Sequence, residues 1–421
     1  MKILMLSATF PYPPTRGGTA VRTFNLLKHL RQQGHSISLG TLRASDVTDD
    51  EIAALKDWVD ELGIFPRNPK PKSKNAVAQA VGKAQRLLNF AVKGTPPSVI
   101  STRSEAMQTW VNKKITSGQF DAITCEHCVN EVYVPADILS HIPKAIVNIH
   151  SSVYGSCAHQ LAAGTAEKPL RDRLNLPLLK RYEHRYCQKF SDLVVTTPDD
   201  QQQLAELSGK KNIHIIPNGV DLNMFTVRPK DPNGHSLVFI GAMDNLPNID
   251  AVTFLANDIF PLVRQRYPDA TLSLVGARPG PAVKQLGEQP NITVTGKVPE
   301  MTPYLQGATV CVIPMRTGYG IKNKTLEAMA AGVPVVASDR GLEGLAVDSE
   351  HTPPTAIRAL RANTAEEYAA AIKQLFESSE LRQRLSKNGR ALIEQGYTWA
   401  IAGEQYEKVL AQNLTTIARK K

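Results

Sequence analysis

The sequence predicts an α/β protein of two successive domains, each a doubly wound parallel sheet with helices on both faces. Three observations carry this. At 421 residues the chain exceeds what one hydrophobic core usually supports. Short apolar, β-branched runs alternate with segments of helical period. The alternation stops at a stretch dense in turn residues and then begins again.

The first series of apolar runs covers residues 3–8, 35–42, 121–125, 145–149, 192–197 and 213–216. Helical patterns at 21–33 and 174–189 lie between some of them, as in parallel βαβ units. The opening run, preceded by Lys2, has the look of a short secretory signal, but Pro11, Pro13 and Pro14 end it early. A buried first strand is the expectation there. Pro217-Asn218-Gly219-Val220-Asp221 and the turn-rich residues 228–234 then separate the halves. The second series covers 237–240, 271–275, 292–295, 309–313, 334–337 and 357–360, with helices at 249–265 and 325–331. The expected domains are therefore 1–222 and 223–396. Two such halves facing each other would bring the carboxyl ends of their strands to a shared cleft, where ligands of doubly wound sheets bind.

Composition narrows the class. With 42% hydrophobic and 21% charged residues the chain reads as an ordinary globular enzyme. No apolar run approaches the length of a membrane-spanning helix. Five cysteines, an odd number, suit a reducing cytoplasm better than a disulfide scaffold. Cys125-Glu126-His127-Cys128 has redox or zinc spacing without a second ligand pair, and reads equally as buried thiols at a strand end.

The net charge of +10 is uneven: residues 1–222 hold 27 Lys and Arg against 20 Asp and Glu, and the remainder 22 against 19. Between Leu62 and Ser104 no acid occurs, while Arg67, Lys70, Lys72, Lys74, Lys83, Arg86, Lys93 and Arg103 do. Val77, Val81, Leu88 and Val92 recur there at helical spacing. A basic amphipathic helix of this kind either packs on its own domain or lies against an anionic membrane face. A cytoplasmic protein with peripheral contact at the inner membrane surface is the expectation in the second case. Nucleic-acid binding is disfavoured, because aromatics are 6% and the basic stretch lacks interleaved stacking residues.

Three loops carry chemistry. Gly17 and Gly18 precede a helical pattern, where backbone amides can approach an anion or simply make a tight turn. The spacing of a dinucleotide fingerprint is absent, so hydride transfer gains no support. His150 ends an expected strand, where it can polarise a sugar hydroxyl or be satisfied by neighbouring backbone. The third loop, Pro314-Met315-Arg316-Thr317-Gly318-Tyr319-Gly320-Ile321-Lys322-Asn323-Lys324-Thr325-Leu326-Glu327, presents three cations near a helix start. Amides and cations gathered there suit a diphosphate, and Glu327, one turn into the helix, can accept from vicinal ribose hydroxyls.

This loop, with Gly332-Val333-Pro334-Val335-Val336-Ala337 after it, closely resembles family 4 retaining glycosyltransferases (glycosyl transferases group 1) of the GT-B fold. The resemblance extends over nearly the whole chain through Gly17-Gly18, His150, residues 216–221, Phe239-Ile240-Gly241 and Val294-Thr295-Gly296. It implies two facing Rossmann-like domains and a retaining transfer of a hexose from a nucleotide diphosphate sugar to a lipid-linked or polysaccharide acceptor. By the resemblance Glu327 binds the donor ribose, Gly318, Tyr319, Gly320 and Ile321 hold the diphosphate and sugar, Gly18 beside Gly17 lies near the phosphates, and His150 meets the donor sugar. Thr325 joins the donor-binding set, and Lys324 joins His150 and Glu327 as a catalytic group. Residues 397–421 resemble the family's closing helix, which returns to the first domain.

Two departures stand out. Tyr319 occupies the place of a frequent first glutamate. The arginine and lysine common after the first strand of the second domain are absent from Gly241-Ala242-Met243-Asp244-Asn245-Leu246-Pro247-Asn248. Phosphate charge would then fall on Arg316, Lys322 and Lys324. No Asp-x-Asp pair is present, so metal-independent chemistry with no cofactor is expected. Two rivals share the donor loop: a nucleotide-sugar epimerase of the same fold, and a nucleotide-sugar-binding subunit without turnover.

Overall fold

The computed structural model describes residues 1–14, 16–67, 90, 92, 94–101, 103–347 and 356–412. Most of the expected basic helix falls outside them: Lys70, Lys72, Lys74, Val77, Val81, Lys83, Arg86, Leu88 and Lys93 lie outside the described residues. The chain forms two compact units, Met1–Ile216 with Ala402–Lys421, and Pro217–Ile401.

The first unit is built on a seven-stranded parallel sheet ordered β3-β2-β1-β4-β5-β6-β7. Its strands are β1 (Lys2–Ser7), β2 (Ser36–Arg43), β3 (Glu61–Pro66), β4 (Ala122–Glu126), β5 (Lys144–Asn148), β6 (Asp192–Val195) and β7 (Ile213–Ile215). Ile123, Cys125, Val147 and Leu193, all buried, share one hydrophobic cluster. β3 was not among the expected strands. It is an edge strand in which only Gly63 is buried, so its mixed polarity hides it. Close packing is visible at Gly63 itself, where a Cβ would stand 2.9 Å from Trp110.

A six-stranded parallel sheet ordered β10-β9-β8-β11-β12-β13 organises the second unit. It comprises β8 (Ser236–Ile240), β9 (Thr271–Val275), β10 (Ile292–Gly296), β11 (Val310–Ile313), β12 (Val335–Ala337) and β13 (Leu360–Arg361). The single helix expected at 249–265 is interrupted: Leu246–Phe254 and Phe260–Arg266 are α-helical, and Leu255–Ile259 between them has π geometry.

The domain boundaries shift by a few residues. Residues 217–222 belong to the second unit because Val220 bridges Thr398, the Val220 amide donates to the Tyr397 carbonyl, and a Cβ on Gly219 would stand 2.3 Å from the Trp399 nitrogen. Tyr397 and its neighbours stay with that unit for the same reason, and its hydroxyl donates to the Gly344 carbonyl at 2.9 Å. From Ala402 the Trp399–Ala411 helix belongs to the first unit, where Gly403 lets it approach His29 closely.

In each sheet the strand order reverses once, at β1/β4 and at β8/β11. The loops leaving the carboxyl ends of those strands are where doubly wound sheets bind ligands. Among the described residues they are 8–14, 16, 17 and 127–133 in the first unit, and 241–245 and 314–322 in the second.

Candidate active site

In the second unit the fully buried β11 ends at Ile313, and the glycine loop follows. Gly318 and Gly320 have φ of 117° and 69°, a region that strains any side-chain-bearing residue, so this path to the helix needs glycine at both places. The Asn323–Ala330 helix then begins with no side-chain cap and no acid in its first turn. The Thr325 and Leu326 amides donate to the Lys322 carbonyl, which leaves those of Asn323 and Lys324 for an anion, and the helix dipole favours one.

The three cations of this loop have different fates. Arg316 is clamped by Asp250 through two hydrogen bonds and lies over the Phe254 ring. Lys322 is buried and pairs with Glu343 at 3.0 Å, where Arg340 also binds. Lys324 meets no carboxylate at ion-pair distance among the described residues. Its ammonium donates to Oδ1 of Asn248 at 2.8 Å and lies 5.4 Å from the centroid of the Phe239 ring. Desolvation, with the neighbouring charge of Lys322, pushes its pKa down to about 8, and Glu327 opposes the shift.

Glu327, three residues on, shares that face of the helix. Burial raises its pKa to about 7, offset in part by Lys324. A carboxylate and an ammonium so displaced toward neutrality form the perturbed pair expected of a functional site. The Thr325 hydroxyl, by contrast, donates to the Gly341 carbonyl at 2.7 Å, and Ser338 Oγ donates to the Met315 carbonyl. Thr325 and Lys322 thus brace the glycine loop against residues 338–343. Ile321 is buried beside them, and Tyr319 is partly buried.

Gly241 packs closely on Lys324, and Gly276 packs on Gly241 in turn. A Cβ on Gly241 would stand 2.9 Å from Asn248 Nδ2 and 3.3 Å from Lys324 Cε. One on Gly276 would stand 1.7 Å from the Gly241 carbonyl oxygen.

Gly17, Gly18 and His150 belong to the first unit. Gly17, at φ 141°, precedes the Gly18–Gln32 helix, which also starts without a side-chain cap. Arg16 beside it is held by Asp46 and Glu51. His150 follows β5, and both of its ring nitrogens are buried without a hydrogen-bond partner. Burial, reinforced by His127 and Arg22, holds its pKa well below the usual histidine value, so the imidazole is neutral. An unsatisfied polar ring of this kind is costly unless a ligand completes it.

In the sequence His127 stands out only as the middle of a Cys-x-x-Cys stretch. It sits at the β1/β4 switch point, packs edge-on to His150 at 5.4 Å between centroids, and has φ of 93°. Burial lowers its pKa to about 4. The signal that could have found it is a polar residue directly after a central strand. Cys125 and Cys128 are buried free thiols with pKa raised by desolvation. Among the described residues no group of three or more His, Cys, Asp or Glu could hold a metal ion, and no helix is long and apolar enough to cross a membrane.

The sequence matches a family of glycosyl transferases group 1 over residues 234–378 and glycosyltransferase family 4 over residues 16–224. A phosphatidyl-myo-inositol mannosyltransferase of Mycobacterium tuberculosis is 29% identical over 207 residues, 46% of this chain and 52% of that protein. Sucrose-phosphate synthase from Thermosynechococcus elongatus aligns over 99% of both chains with a TM-score of 0.67 at 18% identity. Anabaena HepE, in complex with UDP and glucose, covers 98% of this chain and 100% of its own with a TM-score of 0.63 at 16% identity. The fold of two parallel-sheet domains and the two family matches agree, and the chain belongs to the family 4, group 1 glycosyltransferases of the GT-B fold.

Proposed function

We propose that this chain transfers a hexose, with retention of anomeric configuration and without a metal ion, from a nucleotide diphosphate sugar to a lipid-linked or polysaccharide acceptor. The observation that carries the reading is the Lys324–Glu327 pair beneath an uncapped helix start, with Gly318 and Gly320 in the loop above it. A departing nucleoside diphosphate is stabilised by charge in fixed positions, which an ammonium and free helix amides supply.

In this reading Lys324 meets the diphosphate and Glu327 accepts hydrogen bonds from the ribose. Such bonds favour the charged carboxylate, so donor binding near neutral pH draws Glu327 toward ionisation. Arg316 and Lys322, each already matched by a carboxylate, shape the loop and leave the phosphate charge to Lys324. The neutral imidazole of His150, with two open nitrogens, hydrogen-bonds a sugar hydroxyl.

For the acceptor, support comes from the excess of cations in residues 1–222 and from the lipid named in the mycobacterial relative. A cytoplasmic enzyme in peripheral contact with an anionic inner membrane surface fits both.

Thermal melting with uridine, guanosine and adenosine diphosphate sugars tests the donor site, because a ligand of the native state raises its stability. One base should raise the melting temperature of the wild type by several degrees and fail to do so in Glu327→Ala. No rise with any of them in folded wild-type protein would refute the donor assignment.

A further inference from the structure

Asn248 lies in the first turn of the Leu246–Phe254 helix and is 5% exposed. Its amide is oriented unambiguously by two contacts. Nδ2 donates to the Ala242 carbonyl at 2.8 Å, so Oδ1 is the atom turned to Lys324, whose ammonium donates to it at 2.8 Å. The lysine's other near contact is the weak acceptor Met315 Sδ at 3.8 Å. An ammonium has three donors, and one strong acceptor leaves capacity for a ligand. Gly241 keeps the adjoining space clear, since a Cβ there would strike both Asn248 and Lys324 Cε.

Glu327 is the one carboxylate that acts on the ammonium, and it does so from beyond ion-pair distance, with its own pKa raised by burial to about 7. Lys322, Glu327 and Cys311 are the titratable groups that act on Lys324. Lys322 is matched by Glu343, and the buried Cys311 thiol has its pKa raised by burial to about 12. On the segments flanking Asn248, Asp250 is engaged by Arg316 and Asp244 by Arg278. A neutral amide oxygen is therefore the polar anchor of this lysine. A carboxylate in its place would hold the lysine equally well but spend its charge.

We propose that Asn248 is a positioning residue of the donor site, whose amide oxygen holds the Lys324 ammonium beside the space kept open by Gly241 while leaving its charge for the donor diphosphate. This rests on the donor-site reading given above. Asn248 touches no reacting atom in this account and acts only through Lys324.

Binding of uridine, guanosine and adenosine diphosphate, measured by calorimetry from pH 6.5 to 9.5 on the full chain, reads the lysine directly. Wild-type affinity should fall along an alkaline limb as Lys324 loses its proton. Asn248→Ala removes the acceptor and should move that limb down by about one pH unit. Asn248→Asp adds a carboxylate and should move it up by about one unit or more, while weakening binding at pH 7 about 10-fold. These shifts have opposite sign, so either variant that folds is informative, and a merely structural role for Asn248 would produce neither. If the wild type binds a diphosphate and the limb stays in place in the folded variants, the positioning role of Asn248 is overturned and the donor site stands. If the wild type binds none of the three, the donor-site reading fails and this proposal falls with it.

Discussion

The phenol of Tyr406 donates a hydrogen bond of 2.6 Å to Oε1 of Glu126, joining the Trp399–Ala411 helix to the end of β4 inside the first unit. The other carboxylate oxygen accepts from Asn148 Nδ2 at 3.0 Å, and Asn148 Oδ1 accepts from Arg22 Nε at 3.1 Å. Arg22 also donates to the carbonyl of Ile216, the last residue before the chain enters the second unit. All four side chains are buried, and desolvation moves Arg22 down to about 10 and Glu126 upward. A satisfied network of this kind specifies how the last helix docks.

Tyr406→Phe leaves one oxygen of Glu126 without its donor. The expected cost is about 1–3 kcal/mol, seen as a lowered melting temperature with far-UV dichroism unchanged. An unchanged melting curve would mean that the hydroxyl is dispensable and that packing alone docks the helix.

Lys322→Met and Lys324→Met should separate cleanly despite lying two residues apart. The first leaves buried Glu343 with Arg340 alone, and should cost about 3 kcal/mol of stability. The second removes an ammonium whose own burial is unfavourable but leaves the Asn248 amide oxygen without its donor, so the two effects oppose and stability should change less than in the first. Its turnover should fall about 10²- to 10³-fold, the usual loss when one preorganised donor to a developing charge is removed. Melting curves and steady-state rates on the two variants check this, and equal loss of activity in both would contradict the assignment.

His150→Phe keeps a ring against His127 and removes two unsatisfied buried nitrogens. Stability should stay level or increase, while kcat/KM falls about 10²-fold or more. Because the folded pKa values of His127 and His150 are depressed, the stability they contribute is present above the ordinary value of 6.5. It is lost as pH falls below that value and through about 4 for His127, and His150, also held well below 6.5, acts in the same direction. A wild-type rate profile measured from pH 6 to 8 should accordingly show no inflection from either imidazole.

Much of this molecule could be read directly from its residues. Buried parallel strands are short β-branched runs wherever they occur, so β1, β2, β4, β5 and β6 and their counterparts β8 to β12 were visible from local pattern. Glu61–Pro66 was not, because an edge strand is solvated on one side and its sequence carries that mixture. The interrupted helix at 255–259 was equally invisible, since a π segment has the same composition as the helix around it.

At the site the division is sharper. The glycines, the helix start with its cations and the carboxylate one turn later are local features, and spacing alone determined them. Arg316, Lys322 and Lys324 stand within nine residues and look interchangeable in sequence, yet their partners Asp250, Glu343 and Asn248 are 66, 21 and 76 positions away. Likewise, β4 and β5 pair in a register that sets Glu126 against Asn148, and the residues that follow them place His127 beside His150. Whether a cation is neutralised or left for a ligand depends on which distant side chain shares its burial, and only the tertiary structure decides that.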